Sequence, residues 1–181
     1  MNILKTHYLT IIRKDLIMQY HYSNVAIIPK LNKIILNIGA KETLINKKKL
    51  VPSMLALELI TGLKPFVTKS KKAIANFNLK QNYPIGLKVT LNKNQMYNFL
   101  LKITNTAIYL NKDFNGLDIK NFNNKGYLNT SIKDLSVFLE ISNYYENFEI
   151  FQGIDLAFVT THLNLHEAKS LLSGLRLPFI N

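Results

Sequence analysis

The sequence predicts an α+β fold. It reads as one two-layer domain over residues 1–181, with a mainly antiparallel β-sheet, helices packed on one face and the opposite face left for a partner. Three observations point there. Segments of strand period and segments of helix period are mixed without the strict alternation of a parallel α/β fold. A chain of 181 residues with 48% hydrophobic and 19% charged residues is long and apolar enough to bury one core. Neither an internal repeat nor a Pro/Gly/Ser-rich linker divides it.

Leu4, Tyr8, Ile11, Ile12, Leu16 and Met18 recur at helical spacing, which predicts an amphipathic N-terminal helix over 4–22. "LNKIILNIG" is β-branched and ends on Gly39, which predicts a strand over 31–38. Pro52 suits a first helical turn and Gly62 a C-terminal stop, so a helix is expected over 51–61, although Pro52 could instead kink a helix that starts earlier. "KPFVTKSKKAI" and "GLKVTLNK" read as strands joined by a loop, with Pro84 and Gly86 as punctuation. Met96, Phe99, Leu100, Ile103, Ala107 and Leu110 stripe one side of a helix over 94–110. Residues 111–131 are rich in Asn, Gly and Lys and read as a loop or short hairpin. "LSVFLEI" and "GIDLAFVTT" read as late strands, and "NLHEAKSLLSG" as a final helix with Asn164 as cap and Gly174 as stop.

The charge is lopsided. Residues 1–93 hold 16 Lys/Arg against 3 Asp/Glu, a net +13, and the remainder holds 7 against 8, a net −1. No acid occurs between Glu58 and Asp113, while nine lysines do. Because this charge is threaded through strand-like and helix-like sequence, it forms a folded basic face rather than a tail, and it implies a polyanionic partner. Nucleic acid is the first candidate and an anionic membrane the second. The lysines do not lie opposite an apolar helical stripe, as an interfacial anchor requires, so no membrane partner is expected. Lys outnumbers Arg 21 to 2, a bias that AT-rich codons produce.

Other chemistry is poorly supported. There is no cysteine, and the apolar runs are too short to span a bilayer. The first residues resemble neither a secretory signal nor a transit peptide. His162 and His166 are four apart, but a helix starting near Asn164 would separate their faces, so no metal and no cofactor is expected. Glu58 among leucines is either a buried acid or, more simply, a helix-surface glutamate. An RNA-modifying enzyme is the alternative reading, and no residues for its pocket stand out.

The basic segment instead suits RNA. In "KPFVTKSKKAI", alternation sends Phe66, Thr68, Ser70 and Lys72 to one face and Val67, Lys69, Lys71 and Ala73 to the other. In "GLKVTLNK", Lys88 and Thr90 oppose Val89 and Leu91. The basic loop 75–83 combines Lys80 with Asn76, Asn78, Gln81, Asn82 and the rings of Phe77 and Tyr83: charge for phosphate, amides for base edges and hydroxyls, rings for stacking. Phe77 could equally be a core anchor beneath a solvated loop.

Five segments in register carry a family resemblance: "VAIIPKLNKIILNIG" (25–39), "GLKPFVTKSKKAIANF" (62–77), "NYPIGLKVTL" (82–91), "KDFNGL" (112–117) and "LRLPF" (175–179). From His7 to Phe179 the chain resembles the large-subunit ribosomal protein family called L-five. The resemblance implies a non-enzymatic ribosomal protein of the central protuberance that binds 5S rRNA and large-subunit rRNA. It also implies a loop near the P-site tRNA, a bridge to a protein of the small-subunit head, and neighbouring central-protuberance proteins as partners. By motif, Asn37, Phe77 and Thr90 fall at 5S-facing positions, supported by Lys33, Lys64, Lys69, Lys71, Lys72 and Lys88. Asn76, Asn78, Leu79, Lys80, Gln81, Asn82 and Tyr83 fall in the tRNA-facing loop, so the free face of the sheet is expected to be RNA-facing. Leu63 stands where the family usually has Gln, Lys80 where it has Arg, and Asn82 where it has Gly. The AT-type composition together with the absence of a presequence suggests a mitochondrion (matrix ribosome, organelle-encoded), with plastid or bacterial cytoplasm as alternatives.

Overall fold

Five strands build the sheet, and the alternation of their side chains explains which way it faces. The computed structural model describes residues 2–40, 48, 50–110, 116–123, 125–142, 153–161 and 164–180. The strands are β1 (Leu31–Gly39), β2 (Phe66–Lys69), β3 (Pro84–Asn92), β4 (Leu128–Ile132) and β5 (Ile154–Thr160), in the order β2-β3-β1-β5-β4. The sheet is antiparallel, and with its surrounding helices it gives the expected α+β fold. β1 buries Ile34, Leu36 and Ile38 in alternation, with Leu31 buried separately at its start, and β3 buries Leu87, Val89 and Leu91. Period-two burial of this kind holds the register, because a one-residue slip would turn each of these side chains to the other face.

The helices are α1 (Ile3–His7), α2 (Arg13–Tyr20), α3 (Leu50–Thr61), α4 (Lys93–Lys102), α5 (Ile108–Leu110), α6 (Leu139–Ser142) and α7 (Leu165–Gly174). A π-turn, Tyr8–Ile12, joins α1 to α2, so the helix expected over 4–22 is present but widened in its middle. Its buried row is Leu4, Tyr8, Ile12 and Leu16, while Ile11 and Met18 are exposed. Steps of four overshoot an α-helical turn by about 40°, so such a row drifts off the core. The wider π-turn reverses the drift and keeps the row inward. A second π-turn, Ile103–Ala107, joins α4 to α5. It lies in the helix expected over 94–110, whose Met96, Phe99, Leu100 and Ile103 are buried and whose Leu110 is exposed.

The chain divides into two compact units. The first comprises Met1–Ile34, Leu91–Thr130 and Ala157–Asn181. Within it α2 packs on α7, where the Tyr20 and Ser170 hydroxyls lie 2.8 Å apart and the Tyr22 hydroxyl donates to the Glu167 carboxylate. Gly174 ends α7 as expected, but without the positive φ of a glycine cap; a Cβ there would lie 3.1 Å from Ile12 Cγ2. Close approach of two helices therefore explains this glycine, and the positive φ falls on Arg176 instead. The C-terminal "LRLPF" docks by the Leu117 amide donating to the Pro178 carbonyl at 2.9 Å and by stacking of Phe122 on Phe179.

The second unit comprises Ile35–Thr90 and Ser131–Leu156. There α3 buries Ser53, Ala56, Leu57 and Ile60 and packs on α6. Gly62 ends α3 with φ 69, the conformation a glycine stop supplies without strain.

Two expectations are corrected and one alternative is resolved. "LSVFLEI" is not a strand but a 3-10 turn (Leu135–Val137) followed by α6. The Asp134 side chain accepts from the Ser136 amide at 2.9 Å and starts the turn; polar Ser136 and Glu140 set between apolar neighbours imitate a strand period. The segment read as a loop or short hairpin over 111–131 is a hairpin where it is described, with Phe122 bridged antiparallel to Leu128 at the start of β4, whose "LNTSI" buries only Leu128 and Ile132; an edge strand tolerates that polarity. Residues 111–115 and 124 of that segment lie outside the described residues. Finally, β2 stops at Lys69, after a register shift between Thr68 and Lys69. Lys71 and Lys72 therefore follow the strand instead of alternating along it.

Candidate nucleic-acid interface

The candidate residues gather on the second unit because strand period and turn chemistry put them there. On β1, Asn37 lies between buried Leu36 and Ile38 and faces the other way; on β3, Lys88 and Thr90 do the same between Leu87, Val89 and Leu91. β2 pairs with β3 in a register that sets Phe66 beside Lys88 and Thr68 beside Gly86. Gly86 is required by close approach, since a Cβ there would meet the Ile38 carbonyl oxygen at 2.5 Å. Leu63, Lys64, Phe66, Lys88 and Thr90 line an open depression of about 540 Å³. Lys33 is half-buried on the β1 segment that belongs to the first unit.

Phe66 was not among the residues singled out from sequence, yet it is 73% exposed on this surface. The alternation with Val67 put it on a strand face, but only the register brings it beside Lys88. A bare phenylalanine next to a lysine offers a stacking ring and a phosphate partner together.

The loop is a built structure. Ile74 and Leu79 exchange both backbone hydrogen bonds, at 2.9 and 3.1 Å, and enclose a 3-10 turn at Ala75–Phe77. Asn78 and Asn82 take positive φ of 51° and 60°, a conformation asparagine tolerates better than most residues. Buried Ser70 ties the base: its hydroxyl donates to the Lys80 carbonyl at 2.5 Å and accepts from the Tyr83 amide at 3.0 Å. This scaffold leaves Asn76, Asn78, Lys80, Gln81 and Asn82 exposed, with Leu79 and Tyr83 half-buried. Phe77 is 68% exposed, so it is no core anchor. Lys69, Lys71 and Lys72 are exposed beside it.

The plainer reading of Glu58, a helix-surface glutamate, holds. Glu58 is exposed on α3, and His166 is exposed on α7; His162 lies outside the described residues. Among the described residues no group of three or more His, Asp or Glu could hold a metal, and no helix is long and apolar enough to cross a membrane.

Two family models match: "Ribosomal protein L5" over residues 24–80, and the model for the C-terminus of the same ribosomal family over residues 84–179. The large ribosomal subunit protein uL5m of Reclinomonas americana is 44% identical over 98% of both chains. The chain belongs to the ribosomal L-five family. Its L-five relatives include uL5c of Gracilaria tenuistipitata var. liui, 43% identical over 99% of both chains, and uL5 of Nitrosomonas eutropha, 39% identical over 97% of both. Organellar and bacterial L-five proteins are thus all similar to it, and the family is one of structural, non-enzymatic proteins of the large subunit. Membership also implies the ribosome and ribosomal RNA as partners.

Proposed function

We propose that this L-five protein anchors 5S rRNA, where its ribosome has one, and adjoining large-subunit rRNA in the central protuberance of a mitochondrial ribosome. Asn37, Phe77 and Thr90 are the 5S-facing residues, and Lys64, Lys69, Lys71, Lys72 and Lys88 neutralise phosphates, with Lys33 contributing from the start of β1. The loop from Asn76 to Tyr83 approaches the P-site tRNA, and the chain bridges to a protein of the small-subunit head. The observation that carries this reading is the exposed Phe77 ring, held at the tip of a hydrogen-bonded turn among lysines in a segment without a single acid. A ring kept in water by an ordered scaffold is placed for stacking.

Binding of the purified chain to 5S rRNA across a salt series tests it. Each phosphate neutralised contributes about −0.7 to −0.9 to the log–log slope, so several contacts give a steep fall. Salt-independent binding would overturn the proposal. For the loop, Lys80→Glu is expected to weaken tRNA engagement in assembled ribosomes while subunit occupancy stays unchanged. Equal tRNA affinity in mutant and parent ribosomes would remove the loop from that role. Sedimentation of the chain with mitochondrial large subunits tests the compartment.

A further inference from the structure

Within the first unit, a cleft of about 220 Å³ opens between the Tyr8–Ile12 π-turn and the Val25–Ile27 turn. Tyr8, Leu9, Val25 and Ile28 supply apolar wall, and Arg13 and Lys30 are the charged residues of its lining. Its base is fixed: the Tyr8 hydroxyl donates to the Pro29 carbonyl at 2.9 Å, and the Lys30 amide and carbonyl both bond to Thr161. Leu9 and Val25 are nevertheless 41% and 58% exposed. Burial of Tyr8 raises its phenol pKa, while the positive charge of Arg13, which lines the same cleft, acts in the opposite direction.

Two further observations converge on this place. Rare π-turns occur often at functional sites, and this one carries Tyr8 and Leu9 and ends against Arg13. Arg13 is also one of only two arginines beside 21 lysines, in a composition that favours Lys. A guanidinium differs from an ammonium in offering a planar fork that binds phosphate bidentately and stacks on a base. An apolar slot with a fork and a second cation at its rim matches a nucleotide whose base has left its stack. Resting on the reading of the chain as a ribosomal protein, we propose that this cleft receives one splayed-out nucleotide of ribosomal RNA, its base against Leu9 and Val25 and its phosphate on Arg13 and Lys30.

The test uses assembled large subunits carrying a benzophenone side chain at position 25. Irradiation is expected to cross-link the chain to rRNA at one nucleotide or its immediate neighbours. Arg13→Gln should reduce that cross-link about tenfold at unchanged particle occupancy, the loss expected of one bidentate arginine contact, and Arg13→Lys should retain part of it. A cross-link to a protein, or an RNA cross-link indifferent to Arg13→Gln, would overturn the proposal and leave the ribosomal reading standing. Absence of the chain from the large-subunit particle would bring down both.

Discussion

At the scale of single residues, exposure separates those that hold the fold from those free to bind. Phe77 is 68% exposed, so Phe77→Ala should change unfolding free energy by no more than about 0.5 kcal/mol. If the ring stacks on a base, the same variant loses about 1–3 kcal/mol of RNA affinity. Measuring both on one preparation distinguishes a binding ring from a structural one. Gly86 behaves oppositely. Its missing Cβ makes room for the Ile38 carbonyl, so Gly86→Ala should destabilise the chain by about 1–3 kcal/mol in urea unfolding as β1 and β3 are pushed apart. Sequence showed Phe77 amid Lys, Asn and Gln but left its exposure open, because burial depends on what the turn packs against. It marked Gly86 only as punctuation, because the carbonyl that requires it lies on another strand.

At the scale of elements, the loop and the α2–α7 pair each depend on few polar atoms. Ser70→Ala removes the hydroxyl that bonds Lys80 and Tyr83, which should cost about 1–3 kcal/mol locally. The readout is faster amide hydrogen exchange at Leu79 and Asn82 with little change in the amides of β1. In the α2–α7 contact, burial raises the Tyr22 phenol pKa above its ordinary 10.0, and its hydrogen bond to Glu167 raises it further. The fold therefore favours the neutral phenol. Below about pH 10 both folded and unfolded chains hold that proton and the contribution is complete; above it the unfolded chain ionises first and stability falls. Urea midpoints should decline above about pH 10, and Tyr22→Phe should lessen the decline without abolishing it, because burial raises Tyr8 and Tyr97 as well. Elements with a clear period, such as β1 and α7, were legible from sequence. "LSVFLEI" was not, since Ser136 and Glu140 between apolar residues imitate a strand period and the Asp134 cap decided it.

At the scale of the whole molecule, net charge dominates. The chain carries +12 in total, the sum of +13 in residues 1–93 and −1 in the rest. Lys69, Lys71 and Lys72 are exposed at and beyond the end of the edge strand β2, where lysines also discourage edge-to-edge pairing. Changing all three to Gln should flatten the salt dependence of RNA binding by about 0.7–0.9 log units for each lysine that meets a phosphate. An unchanged slope would leave them only the edge-protecting role. Charge asymmetry identified this surface without any structure, but not the order of strands that makes β2 an edge.

By itself the sequence determined the family, the α+β class, the asymmetric charge and the outward set of Asn37, Lys88 and Thr90, because motif order, period and charge are properties of the chain read in line. Tertiary structure decided that Phe66 stands beside Lys88, that Ser70 fastens the loop bearing Phe77, and that Arg13 borders a cleft. Each of those joins residues distant along the chain, and such meetings depend on register and packing, which no local pattern encodes.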